Sequence, residues 1–235
     1  MQCVILAGGV GTRMQPVAAT LPKSLIPIRN RPFLHYQLSH LAKQNIRDIL
    51  LCVGYGGDQI ERYAEDGRAW GLTIQYVREG TELRGTGGAL RLACEEGCLE
   101  PAFFVLYGDS YQTIDFLPVW QYFETRTEPA VMLLYKNSGL WDRSHAAFDG
   151  QKITHYDKKH PASDRTSLGG DLSILRRIAI EEGVPPNSVY DLDDLFQKLS
   201  ERGKLAGYET KARPYAISST EGLQDFIAYV SRTSL

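Results

Sequence analysis

Apolar residues along this chain follow two alternating rhythms. Largely unbroken runs of strand length occur at residues 3–6, 48–54 and 102–109, a further strand is expected at 72–77, and apolar residues at three- and four-residue spacing lie between them. Continuous apolar runs suit strands covered on both faces. In residues 32–41, Leu34, Leu38 and Leu41 share one face and predict an amphipathic helix. Further helices are expected at 58–65, 89–96 and 116–126. Strands and helices alternating at this length predict parallel βαβ units, hence an open sheet with helices on both faces.

The second half changes texture. A strand is expected at 130–136, and Asp149-Gly150 reads as the turn of a hairpin. A mobile loop is predicted at 165–170, with a strand resuming at 171–175. Residues 190–203 carry Leu192, Leu195, Phe196 and Leu199 on one helical stripe, with Gly203 as the stop. Short strands at 204–211 and 215–218 precede a last helix, 220–232, buried through Leu223, Phe226, Ile227 and Val230. With no repeat, low-complexity tract or linker, residues 1–235 read as one domain.

Bulk properties narrow the function classes. The chain has 235 residues, 43% of them hydrophobic and 23% charged, enough for one sizeable core. A net charge of −2 argues against a general nucleic-acid binder, which depends on a basic surface. No apolar run approaches the ~20 residues of a membrane span, and the opening residues lack a signal-peptide layout. The expectation is a cytoplasmic protein with no membrane partner. Cys3, Cys52, Cys94 and Cys98 follow no metal-site spacing and read as reduced core thiols. The five histidines form no ligand motif.

The chemistry concentrates where the first strand empties into Gly8-Gly9-Val10-Gly11-Thr12-Arg13, with Lys23 following. Glycine lets the backbone approach a ligand closely, and successive N–H groups in such a turn form an anion-binding concavity. Arg13 can fork two phosphate oxygens, while Lys23 acts as a point charge. A polyphosphate is the predicted ligand. The pattern is not a P-loop, because no Gly-Lys-Ser/Thr closes it, and a dinucleotide fingerprint would need a third glycine. A tight turn with no ligand would also use glycine. A second glycine-rich stretch, 79–89, opens a helix whose unpaired N–H groups could meet an anion or a base edge. Glu79 or Glu82 could accept from guanine N1–H and N2–H₂. Asp109 ends the most strand-like run, either as a Mg²⁺ ligand or as a plain turn residue.

The run Leu6-Ala7-Gly8-Gly9-Val10-Gly11-Thr12-Arg13-Met14, followed by Pro22-Lys23-Ser24-Leu25-Ile26-Pro27, resembles the signature of sugar-1-phosphate nucleotidyltransferases. The resemblance extends through Gly85-Thr86-Gly87-Gly88-Ala89 and Tyr107-Gly108-Asp109-Ser110, and it thins after about residue 140. It implies a three-layer αβα, Rossmann-like fold with a mixed, mostly parallel sheet. Residues 1–140 would form the nucleotide-binding core and 141–235 a sugar-binding part. It also implies an enzyme that joins an NTP to a sugar 1-phosphate and releases pyrophosphate, with Mg²⁺ as cofactor and a homo-oligomer as a possible state. Among the substrates, the 83–90 stretch looks most like guanylyltransferases for manno-heptose or mannose 1-phosphate. Uridylyl, thymidylyl or cytidylyl transfer stays open.

Residue by residue, the resemblance gives Arg13, Lys23 and Asp109 catalytic roles, with Asp109 on the metal. Leu6, Ala7, Gly8, Gly9, Gly11 and Thr12 would bind nucleotide, and Gly85 and Thr86 would lie against the base. Tyr111 would line the sugar side, and Asp157 with Lys158 or Lys159 would hold the sugar phosphate. One position departs from the pattern. Where relatives carry a second metal carboxylate, this chain has Ala216, or Ile217 if the match is slid by one, in Tyr215-Ala216-Ile217. Hence a rival expectation, a catalytically impaired homologue that binds nucleotide sugars. A nicotinamide oxidoreductase is disfavoured by the missing third glycine.

Overall fold

The computed structural model describes residues 1–9, 21–80, 82–136, 144–160 and 167–233. Strands β1 (Gln2–Leu6), β2 (Pro27–Ile28) and β3 (Arg31–Pro32) precede helix α1 (Phe33–Lys43). Then come β4 (Asp48–Val53), α2 (Gly57–Ala64), β5 (Thr73–Arg78), α3 (Gly85–Glu95), β6 (Ala102–Tyr107) and β7 (Ser110–Tyr111). The middle of the chain forms α4 (Phe116–Glu124), β8 (Ala130–Lys136), β9 (Ala146–Phe148) and β10 (Ile153–Tyr156). The rest comprises β11 (Ser167–Arg176), α5 (Arg177–Gly183), α6 (Leu192–Glu201), β12 (Leu205–Thr210), β13 (Tyr215–Ala216) and α7 (Thr220–Thr233).

These elements form two compact units, and neither is a continuous half of the sequence. The first comprises Met1–Leu83, Leu106–Gln112 and Pro214–Leu235; the second comprises Arg84–Val105 and Thr113–Arg213. The compact units therefore do not part near residue 140. The late segment belongs to the first unit because β13 pairs antiparallel with β7, Tyr215 opposite Tyr111 and Ala216 opposite Ser110.

In the first unit, β1 runs parallel to β4 from Gln2↔Asp48 to Leu6↔Cys52, and β4 runs parallel to β5. All five residues of β1 are buried, as its unbroken apolar run predicts. On β5, Ile74 and Val77 are buried while Thr73, Gln75 and Arg78 are exposed. A second core joins Phe33 and Tyr36 of α1 to Tyr111 and to Leu223, Phe226 and Val230 of α7. The Phe226 ring lies 4.9 Å from Phe33, 5.6 Å from Tyr36 and 5.1 Å from Tyr111. Such rings dominate the apolar area a core buries.

In the second unit, β8 pairs antiparallel with β11 and parallel with β12. The β9–β10 hairpin turns where predicted: the Asp149 carboxylate accepts from the N–H groups of Gln151 and Lys152, and Gly150 takes a left-handed φ of 99°. Three expectations need correction. β11 begins at Ser167, so of the predicted loop only residues 165–166, outside the described residues, are left open. Helix α3 begins at Gly85, four residues early, with its glycines inside the first turn. Helix α5 was not anticipated, because it follows β11 directly and no side chain caps its start.

All four cysteines are free; Cys3 and Cys52 are buried, whereas Cys94 and Cys98 are only partly covered. Among the described residues, no helix is long and apolar enough to cross a membrane.

Candidate functional site

Within the first unit the carboxyl ends of β1, β4 and β5 are tied together by backbone bonds. Ala7 N–H donates to the Cys52 carbonyl (2.8 Å), Tyr55 N–H to Gly8 (3.1 Å), Glu79 N–H to Val53 (3.0 Å) and Gly108 N–H to Leu6 (2.9 Å). Ligands of open α/β sheets bind beyond such strand ends. Gly8 and Gly54 meet back to back. A Cβ on Gly54 would stand 2.9 Å from the Gly8 carbonyl oxygen, and one on Gly8 would run into the Glu79 carboxylate. These glycines are required by close approach, not by an unusual φ. Glu79 is buried beside Gly8, while Glu82 is exposed.

Leu6 and Ala7 are buried, with the Leu6 carbonyl and the Ala7 N–H spent on neighbouring strands. Any backbone donation to an anion must come from Gly8 onward. Gly9 is exposed, with open space above its α-carbon. Gly11, Thr12 and Arg13 lie outside the described residues.

Lys23 and Asp109 come together. Lys23 opens a short 3₁₀ turn, Lys23–Leu25, entered from Pro22, and its Nζ lies 2.9 Å from Asp109 Oδ2. The two side chains keep 17% and 21% of their exposure, so solvent and salt screen them less than a surface pair. Asp109 sits in the turn between β6 and β7. Its own carbonyl accepts from Ile217 N–H at 2.9 Å, which braces the turn against the strand carrying Ala216.

Could this arrangement hold a divalent cation? Asp109 offers one carboxylate, and Ala216 stands opposite Ser110 where a second could be. Among the described residues, no group of three or more His, Cys, Asp or Glu side chains is gathered for a metal. Mg²⁺ commonly takes one or two carboxylates and fills its sphere with water and substrate phosphates. The residues fit Mg²⁺ in that form, with phosphates supplying the remaining ligands.

Tyr111 is the clear correction. It is 2% exposed, and its ring packs against Phe226, His40 and Tyr229. Burial pushes its hydroxyl well above the ordinary tyrosine range. Pairing of β7 with β13 turns the ring into the α1–α7 core and away from the surface where a sugar was expected.

In the second unit, the start of α3 is less open than its glycines suggest. Gly87 and Gly88 both donate N–H to the Tyr190 carbonyl, at 2.8 and 3.0 Å. Thr86 Oγ1 donates to Asp191 and accepts from Leu192 N–H. A Cβ on Gly85 would stand 2.8 Å from the Tyr190 oxygen, and one on Gly88 2.7 Å from the Ser188 oxygen. Much of this glycine content serves close packing against 188–191. Nothing in the residue types near 86 signalled a carbonyl arriving from residue 190.

Lys158 and Lys159 reach the first turn of α6, with Nζ 3.6 Å from Asp193 and 2.5 Å from Asp194. Tyr156 donates its hydroxyl to Asp193 at 2.7 Å. Asp157 accepts from the N–H groups of Lys159 and His160. Burial opposes its ionised form, but those bonds and the His160 ring hold its carboxyl below the usual range.

A family model described as nucleotidyl transferase matches residues 2–139. This chain belongs to the nucleotidyl transferase family. The match stops where the motif resemblance thins. Among curated relatives, the D-glycero-alpha-D-manno-heptose 1-phosphate guanylyltransferase of Aneurinibacillus thermoaerophilus is 39% identical over 115 residues, 49% of each chain. A UTP–glucose-1-phosphate uridylyltransferase of Synechocystis is 27% identical over 224 residues, 86% of this chain and 56% of that one. The chain thus spans about half the length of the curated relatives it matches. Among solved structures, HddC from Yersinia pseudotuberculosis complexed with GMP-PN gives a TM-score of 0.79 at 23% identity, covering 97% of this chain and 98% of that one. That likeness is one of fold, and it bears out the Rossmann-like α/β class.

Proposed function

We propose that this protein transfers a nucleotidyl group from an NTP to a sugar 1-phosphate and releases pyrophosphate. The observation that carries the reading is the Lys23–Asp109 pair, held beside the Gly8–Gly54 contact at the strand ends of the first unit. GTP with a manno-heptose or mannose 1-phosphate is the favoured substrate pair. It is supported by the guanylyltransferase name of the Aneurinibacillus relative and by the buried Glu79 carboxylate, which suits the guanine N1–H and N2–H₂ donors. The Synechocystis relative, named for UTP, keeps the base an experimental question.

The chemistry is in-line attack by a sugar-phosphate oxygen on the α-phosphorus. Little covalent help is needed, because two anions must be brought together and their charge neutralised. Lys23 would hold the α-phosphate or the incoming sugar phosphate. Arg13 would grip the β- and γ-phosphates and stabilise the departing pyrophosphate. Mg²⁺, held by Asp109, would supply further neutralisation of phosphate charge. Gly85 and Thr86 would lie near the base, and Asp157 with Lys158 or Lys159 would take the sugar phosphate. The pairing with Asp109, 2.9 Å away, would keep the Lys23 cation at the strand ends where the phosphates are to sit.

A pyrophosphate-release panel tests this directly, with GTP, UTP, dTTP and CTP against mannose, heptose, glucose and N-acetylhexosamine 1-phosphates. Release with GTP and a manno-configured sugar phosphate is the expected result, and silence across the panel would overturn it. Ala216 beside the Asp109 turn favours one second reading, a nucleotide-sugar-binding homologue with impaired catalysis. That reading predicts tight nucleotide binding with no pyrophosphate even at high Mg²⁺.

A further inference from the structure

Asp109 is carried by a four-residue turn whose two ends converge on one side chain outside it. Gln37, on the inner face of α1, is 1% exposed. Its Nε2 donates to the Tyr107 carbonyl at 2.9 Å and to the Ser110 carbonyl at 2.7 Å. A side-chain amide nitrogen has two hydrogens, and here each meets one end of the turn. Both partners are carbonyls, so the amide can only face them with its NH₂. Its Oε1, turned the other way, is buried without a hydrogen-bond partner among the described residues. Leaving a buried acceptor unpaired costs free energy. That cost is accepted where the donor is needed.

We propose that Gln37 is the positioning residue for Asp109, a role that rests on the reading of Asp109 given above. Main-chain bonds also hold the same turn, among them Gly108 N–H to Leu6 and Ile217 N–H to the Asp109 carbonyl. Both survive any side-chain change. The Gln37 amide spans the turn from Tyr107 to Ser110, and so sets the direction in which the Asp109 carboxylate leaves it toward Lys23. Geometry at a reacting centre is sensitive at this scale, since a misplacement of ~1 Å can cost ~10² in rate.

The test is a double-mutant cycle read in pyrophosphate release, with GTP and mannose 1-phosphate or whichever pair the panel selects. The same cycle is read in calorimetric binding of Mg²⁺–GTP, so that a silent background still reports. Gln37→Met keeps length and packing but donates nothing. It should lower kcat at least tenfold, leave KM for GTP within about threefold, and shift the melting temperature by only a few degrees. In an Asp109→Asn background the same change should cost less than threefold more, because both act through one carboxylate. Gln37→Glu, which sets a carboxylate against two carbonyl oxygens, should lose more than Gln37→Met.

Wild-type turnover in either Gln37 variant would overturn the proposal. So would a full multiplicative loss in the Asp109→Asn background, which is what a purely structural role predicts. If Asp109→Asn alone kept full turnover, the reading of Asp109 would fall first and this proposal with it.

Discussion

Lysine meets aspartate in both compact units, and the two settings differ in what holds the acid. Asp193 and Asp194 lie in the first turn of α6, where a helix N-terminus stabilises negative charge by itself. The lysines that reach them keep 39% and 58% of their exposure. Such pairs have a structural explanation complete without a ligand. Asp109 has no helix behind it. Its turn is pinned by Leu6, Ile217 and Gln37, and the Lys23 that meets it is mostly covered. The difference teaches that a lysine's promise as a phosphate ligand is judged by how firmly its acidic partner is built in.

Substitutions can break or sharpen that contrast. The largest effect should come from Asp109→Ala or Lys23→Ala. Each is expected to lower pyrophosphate release by ~10²–10³ with the far-UV circular dichroism spectrum unchanged, and near-wild-type rates would dissolve the distinction between the two pairs. Next, Ala216→Asp returns a carboxylate beside the Asp109 turn. It should tighten Mn²⁺ binding about tenfold (~1.4 kcal/mol), followed by calorimetry; a rise in turnover as well would favour the impaired-homologue reading.

A third change acts on stability alone. Gly88→Ala drives a methyl toward the Ser188 carbonyl oxygen and Arg84 and should cost ~1–3 kcal/mol, measured as a lower urea midpoint. The smallest effects belong to Lys158→Ala and Lys159→Ala. Neither should move the melting temperature measurably, while the residue that serves the sugar phosphate should raise its KM a few-fold and leave that of GTP alone.

Much of the fold was legible because periodicity reports burial. The continuous apolar runs became β1, β4 and β6, and the stripe at Leu192, Leu195, Phe196 and Leu199 became the buried face of α6. What stayed hidden depends on contacts distant in sequence. The glycines at 85, 87 and 88 looked like an open anion cradle, yet Tyr190 and Ser188 fill much of that space. The resemblance puts Tyr111 on the sugar side, but its partner strand lies about a hundred positions later and turns the ring inward. Gln37 gave no signal at all, because a glutamine among apolar helix positions looks like ordinary tolerance.

The pairing of β7 with β13 also bears on how the protein matures. Asp109 leaves the ribosome well before the segment from Pro214 onward, which supplies the Ile217 brace and the Phe226 side of the aromatic core. A nascent chain halted between them would carry every motif of its first half and still lack the Ile217 brace on the Asp109 turn. The full set of contacts around the Asp109 turn is therefore completed late in synthesis, as a property of closure and not of the motifs.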